Sequence, residues 1–334
     1  MGKSVTHAPS ASVGVVEVAP RDGLQNESTV LTPESRAELV RHAVAAGARR
    51  IEAVAFVRPD RVPQMAGAED VMALLPRPDG VRYSGLVLNE RGLARAVDAG
   101  VHEVNCVVVA TDTFCRRNQG VDTEEALGAW AGIAKAAHAA GAPPTLTIAA
   151  AFGCPFEGEV PEERVVEIAR RGAATGAAEI ALADTIGVAA PDAVARLLHA
   201  VREAAPGVPL RCHFHNTRNT GYANAVAAVA AGAAWLDASL GGFGGCPFAP
   251  AATGNIATED LVYLLERMGT RTGIGLDAAS GAGTWLGTLL GREAPALLGR
   301  AGGFPGTAPI PTPAPTPTPT PAPTPSPAPA DGRA

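Results

Sequence analysis

Eight times over, a short apolar stretch is followed by a longer stretch with helical spacing, and that alternation constrains the fold of this 334-residue chain more than any other feature. The apolar stretches fall at residues 13–18, 50–55, 82–88, 103–109, 145–151, 179–183, 210–214 and 235–239. The helical patterns fall at 33–46, 62–75, 90–99, 123–140, 161–175, 191–204, 218–231 and 258–267. Gly47, Gly100, Gly141, Gly176 and Gly232 stand just past helix ends, where a residue tolerant of positive φ closes the last turn. Strands that alternate with helices build a parallel sheet. Eight repeats predict an α/β fold, a (β/α)8 TIM barrel over residues 13–304. An open doubly wound sheet is the competing arrangement, but no GxGxxG follows an early strand.

The flanks read differently. Residues 1–12 are polar and predict a disordered N-terminus without the apolar core of a signal peptide. From Pro309 to Pro329 every second residue is proline. Such a run lacks backbone donors and apolar bulk, so 305–334 predict a disordered, extended tail. It reads as a spacer, with an unknown partner that recognises Pro-rich segments as the other reading. The net charge of −6 comes with no basic patch, which argues against nucleic acid and against an anionic membrane surface. The apolar stretch 126–151 is broken by Lys135, His138, Gly141 and Pro143-Pro144, so it predicts no membrane span. Five scattered cysteines without a CxxC pair predict a reducing, cytoplasmic setting.

In a barrel of this kind the chemistry lies at the C-terminal ends of the strands. His213 and His215 stand there, and alternation along a strand lets both face one point. Asp22 and Asn255 add oxygen donors from distant parts of the chain. Two imidazoles with carboxylate and amide oxygens suit Mg²⁺ or Mn²⁺ better than a thiolate-rich zinc site. Asp22-Gly23 is also a turn signal, and both readings of Asp22 are compatible. Arg21 is either a solvated charge or a guanidinium that stabilises a developing oxyanion. Glu52 lies inside an apolar strand, so it either pairs with Arg21 or faces solvent at an edge. Asp184 ends the sixth strand as a turn residue or a substrate contact. Cys246, in the Gly-rich segment 241–247, is either inert or a proton donor on a mobile loop. Glu259 opens a helix, where an acid is favoured for its own sake, and a supporting role in catalysis is the alternative.

Several longer motifs carry a family resemblance. Residues 16–27, VEVAPRDGLQNE, closely resemble the opening motif of 3-hydroxy-3-methylglutaryl-CoA lyases. The segments VPQM at 62–65, GCPFEG at 153–158 and ADTIG at 183–187 are similar to further motifs of that family. So is GGFGGCPF at 241–248 followed by TGNIATEDL at 253–261, which looks like the catalytic loop. The resemblance spans 13–269 and continues more weakly to about 303. It implies a divalent metal, Mg²⁺ or Mn²⁺, held by Asp22, His213, His215 and Asn255. It implies that Arg21 stabilises the acetyl-CoA enolate, that Cys246 transfers a proton, and that Glu52, Asp184 and Glu259 support the site. The implied reaction is retro-Claisen cleavage of 3-hydroxy-3-methylglutaryl-CoA to acetyl-CoA and acetoacetate, with His213 or Asp22 as base. A homodimer and a setting in leucine catabolism follow from the same resemblance.

Some positions depart from the family pattern. Val54-Ala55 replace a Thr-Ser pair, Ala181 replaces a serine, residues 107–114 replace an Ala-Ser-Glu loop, and Asn216 stands where many members carry Asp, followed by Arg218. These changes remove hydroxyls and add apolar surface. They make another 3-hydroxyacyl-CoA, such as a citramalyl-type thioester, an alternative substrate. A Claisen-type condensing synthase and a non-catalytic acyl-CoA-binding barrel are the remaining readings.

Overall fold

The computed structural model describes residues 12–245 and 254–305. Cys246, the Pro-rich tail from 306 onward and nearly all of the N-terminal flank lie outside the described residues. Eight strands pair in chain order: β1 (Gly14–Glu17), β2 (Arg50–Ala55), β3 (Arg82–Val87), β4 (Glu103–Val109), β5 (Pro144–Ala149), β6 (Glu179–Asp184), β7 (Leu210–Phe214) and β8 (Trp235–Ala238). Every neighbouring pair is parallel, and β8 returns to β1 to close the barrel. The expected TIM barrel is present.

The helices are α1 (Pro33–Ala45), α2 (Ala68–Leu74), α3 (Glu90–Asp98), α4 (Asp112–Gln119), α5 (Thr123–Ala139), α6 (Glu162–Ala174), α7 (Pro191–Ala204), α8 (Gly221–Ala230), α9 (Thr258–Arg267), α10 (Leu276–Leu290) and α11 (Leu298–Ala301). None of them is long and apolar enough to cross a membrane. The helical pattern at 62–75 resolves into a 3₁₀ turn at Pro63–Met65 and then α2, because Gly67 takes φ of +67° between them. The helix expected from 218 begins at Gly221, and α4, α10 and α11 have no counterpart among the predicted helices.

Side chains alternate between the two faces of each strand. Val104, Leu146, Ile148, Ile180, Leu182, Cys212, Phe214 and Leu236 are fully buried in the apolar core. Packing between β5 and α6 is so close that a Cβ at Gly172 would lie 2.1 Å from Leu146 Cδ2. The alternate positions carry polar groups that meet inside the barrel. Arg50 on β2 donates to both oxygens of Glu179 on β6, at 2.6 and 3.0 Å. Those strands stand on opposite sides of the ring, so the bonds cross its interior. Arg50 also donates to Glu103 on β4 at 2.6 Å. Buried charges persist only when paired and hydrogen-bonded.

Candidate active site

Arg21 and Asp22 reach the barrel mouth through an unusual turn. After β1 the chain makes a π-helical turn over Ala19–Gly23, in which the N–H of Gly23 donates to Val18 O five residues back, at 3.1 Å. Such turns are rare and concentrate at functional sites. Arg21 donates from Nε and Nη2 to Glu52 Oε2 at 2.8 and 2.5 Å, and from Nη1 to Asp22 Oδ1 at 2.6 Å. Glu52 accepts Asn105 Nδ2 on its other oxygen at 2.8 Å. The guanidinium is therefore fixed on two sides.

His213 on β7 and His215, one residue past its end, lie with ring centroids 5.1 Å apart, both buried. His213 Nδ1 bonds to Asp237 Oδ2 at 3.1 Å, and its Nε2 lies 3.8 Å from Asp22 Oδ2. Asp22, His213 and His215 each present one donor atom, and the three atoms lie within 4.8 Å of one another. Asn255 joins them because its segment bridges back to His215 in antiparallel fashion. Its amide nitrogen donates to Asp22 Oδ2 at 2.9 Å and to Phe243 O at 3.1 Å. Gly244 makes this approach feasible: at φ of +105°, a Cβ there would fall 2.5 Å from Asn255 Nδ2.

The residues fit a divalent ion. Asn255 Oδ1 and His215 Nδ1 are buried without a hydrogen-bond partner, and a buried polar atom left so costs about 1–3 kcal/mol unless something occupies it. Burial drives the His215 imidazole down to about 4, and His213 beside it adds to the effect, so it is neutral and carries a free lone pair. Burial raises the Asp22 carboxyl, but Arg21 and then the two imidazoles outweigh it and hold the group well below the usual carboxylate range. A neutral imidazole and an ionised carboxylate are the forms that bind a metal.

Two predicted residues are engaged elsewhere. Asp184 accepts the backbone N–H groups of Val188 and Ala189, one on each oxygen, at 2.9 and 3.0 Å. It thereby caps the loop after β6. Both oxygens of Glu259 accept the N–H of Gly241, at 3.2 and 3.0 Å, anchoring the start of the Gly-rich segment. Its carboxyl is pushed up to about 8 by burial. Neither belongs to the donor cluster of Asp22 and the two imidazoles.

The sequence reading missed Asp237, which orients His213, and Asn105, which holds Glu52 and accepts Thr147 Oγ1 at 2.7 Å. A signal for Asn105 was there: Arg50-x-Glu52, Glu103-x-Asn105 and Thr145-x-Thr147 put polar groups two apart on strands, whereas Asp237 has no polar partner within its own strand. Beside the donors opens a cavity of about 2100 Å³, lined by Arg58, Arg61, Arg91, Arg116, Arg117 and Arg292 among others, and by Gly244 and Gly254 next to Asn255. Its rim suits an anionic ligand.

Fold and site together define a TIM-barrel enzyme with its polar chemistry gathered after β1, inside β2, at the end of β7 and on the segment that follows β8. The HMGL-like family model matches residues 12–282. The chain belongs to that family, the 3-hydroxy-3-methylglutaryl-CoA lyase family of TIM-barrel lyases, and is a carbon–carbon lyase. It is 47% identical over 301 residues to the (R)-citramalyl-CoA lyase of Chloroflexus aurantiacus, a match covering 87% of this chain and 95% of that one. It is 41% identical over 280 residues to the hydroxymethylglutaryl-CoA lyase of Pseudomonas mevalonii, covering 84% and 93%. An HMG-CoA lyase from Acinetobacter baumannii, solved in complex with coenzyme A and 3-methylmalate, superposes with a TM-score of 0.87 at 38% identity, covering 91% of this chain and all of that one.

Proposed function

We propose that the protein is an acyl-CoA lyase that cleaves a 3-hydroxy-3-methylacyl-CoA bearing a terminal carboxylate, with Mg²⁺ or Mn²⁺ held by Asp22, His213, His215 and Asn255. The observation that carries the reading is the donor cluster, with Arg21 fixed 2.6 Å from its carboxylate. When bound, the ion supplies Lewis acidity that lowers the pKa of the substrate hydroxyl. Asp22 accepts the hydroxyl proton on a carboxylate oxygen, since His213, with Nδ1 on Asp237 and Nε2 turned toward the donor cluster, has no lone pair left for it. The carbinol carbon becomes a ketone as its bond to the thioester α-carbon breaks, and the electron pair passes into an acetyl-CoA enolate. Arg21, locked by Glu52, faces that oxyanion with its positive charge. Cys246 returns a proton to the enolate carbon and completes acetyl-CoA. The arginine-lined cavity takes the CoA phosphates.

Two substrates fit this chemistry. 3-Hydroxy-3-methylglutaryl-CoA would give acetoacetate and acetyl-CoA, and a citramalyl-type thioester would give pyruvate and acetyl-CoA. The 47% identity to a citramalyl-CoA lyase and the apolar replacements at Val54, Ala55 and Ala181 favour the second. The test is acetyl-CoA release from both thioesters with Mg²⁺ or Mn²⁺, a thiol reductant and an EDTA control. Cleavage that EDTA abolishes supports the reading, and the faster thioester names the substrate. Failure of metal-loaded protein to cleave either one refutes it.

A further inference from the structure

Beneath the donor cluster lies a second polar layer that no part of the proposed chemistry uses. At its centre is Arg211, two residues before His213 on β7 and 3% exposed. Its Nη1 lies 3.4 Å from Glu179 Oε1, its Nε lies 3.3 Å from Asp237 Oδ1, and its Nη2 donates to Thr147 Oγ1 at 3.5 Å. Glu179 is already engaged by Arg50 on both oxygens. Asp237 differs: among the described residues, Arg211 is the one guanidinium within ion-pair distance of it, and the His213 ring is its other partner.

We propose that Arg211 is a positioning residue for the metal-donor cluster, acting through Asp237 on His213. The proposal rests on the metal-dependent reading above. One oxygen of Asp237 takes His213 Nδ1 and the other lies against Arg211. That arrangement fixes the ring with Nε2 toward Asp22, and a carboxylate on Nδ1 favours the tautomer that keeps Nε2 for a metal. A buried carboxylate needs a cation. Arg211 is the permanent one and lies against the oxygen that His213 leaves open, so it sets the carboxylate that in turn holds the His213 ring. The contact from Arg211 Nε to Asp237 Oδ1 has ion-pair distance but not hydrogen-bond alignment, so the guanidinium acts here as a charge set in place by Glu179 and Thr147. The same ring of contacts runs on through Thr147, Asn105 and Glu52 to Arg21, so one buried guanidinium underlies both halves of the site.

The test measures Mn²⁺ affinity by equilibrium dialysis on the full chain, with circular dichroism to establish folding. Arg211→Met is expected to weaken Mn²⁺ binding roughly tenfold or more, the range typical of residues that orient a ligating histidine. Arg211→Lys is expected to recover most of that loss. In an Asp237→Asn background, Arg211→Met is expected to weaken binding no further, since the carboxylate it holds is gone. A folded Arg211→Met that binds Mn²⁺ within twofold of wild type overturns the proposal, as does full additivity of the two substitutions. If Arg211→Met does not fold, Arg211→Gln takes its place in the same cycle. Wild-type protein that binds no Mn²⁺ overturns instead the metal-dependent reading on which the proposal rests.

Discussion

Asp22 and Asp184 are both aspartates near strand ends, and their surroundings give them different work. Asp22 shares an oxygen with Asn255 and lies against two imidazoles, while both oxygens of Asp184 are taken by backbone N–H groups. Asp22→Asn is expected to abolish Mn²⁺ binding measured by dialysis while shifting the melting temperature little. Asp184→Asn keeps one acceptor of two, so it is expected to cost about 1–2 kcal/mol and lower the melting temperature by a few degrees in calorimetry. The opposite pattern would move Asp184 into the metal site. Arg21→Met is expected to lower kcat about 10²–10³-fold at saturating Mn²⁺, the scale for losing one oxyanion-stabilising group. His213, His215, Arg21 and Asp22 were legible in the sequence because their types are rare at the end of an apolar strand. Asp237 and Arg211 were not, because a polar residue inside a strand reads equally well as a solvated edge.

At the scale of elements, all eight strands could be read from their apolar runs, and the misses have local causes. Helix α10 carries Gly281, Gly283 and Gly287 and has little helical propensity of its own. Packing supports it: the Trp285 ring lies tilted against His42 of α1 with centroids 4.5 Å apart, and Leu286 is fully buried. Helix α4 is short and polar, and its pattern gave no apolar face. The π-helical turn after β1 was legible only as a turn signal at Asp22-Gly23, since its bonding to Val18 depends on the barrel around it. The segment after β8 is set by glycine. Gly244→Ala would press a methyl group against Asn255, so it is expected to weaken Mn²⁺ binding at least tenfold in dialysis while the circular dichroism spectrum is unchanged. A variant that binds Mn²⁺ normally would remove Asn255 from the donor set.

Across the whole molecule, two buried carboxyls link stability to pH. Glu17 accepts the N–H groups of Ala19 and Leu240 and the hydroxyl of Thr258, with no cation beside it among the described residues, and burial pushes it up from 4.5 to about 7. Glu259 is raised by burial to about 8. A carboxyl raised on folding holds its proton more tightly in the native state. Its contribution to stability is therefore complete below pH 4.5 and is lost as pH climbs to 7 for Glu17 and 8 for Glu259. Glu17→Gln keeps the acceptor and removes the titration. It is expected to flatten the loss of stability between pH 5 and 7, by up to about 3 kcal/mol, in urea melts at several pH values. A pH profile identical to wild type would remove Glu17 as a source. Removal of residues 306–334 is expected to leave kcat/KM and melting temperature unchanged, since the barrel and its donor cluster are built from residues before them. A large loss on truncation would give the Pro-rich tail a part in the chemistry.

The bonds that Arg50 throws across the barrel to Glu179 also bear on how the chain folds. One partner comes from the second strand and the other from the sixth, 129 residues later. A fragment holding only the first four strands would keep Arg50 with Glu103 but lose Glu179, and one holding the last four would keep Glu179 with Arg211 but lose Arg50. Each half would give up the two bonds that cross the ring, so closing the barrel and completing its charge network are coupled. Separated halves of this barrel should therefore gain stability when they find each other.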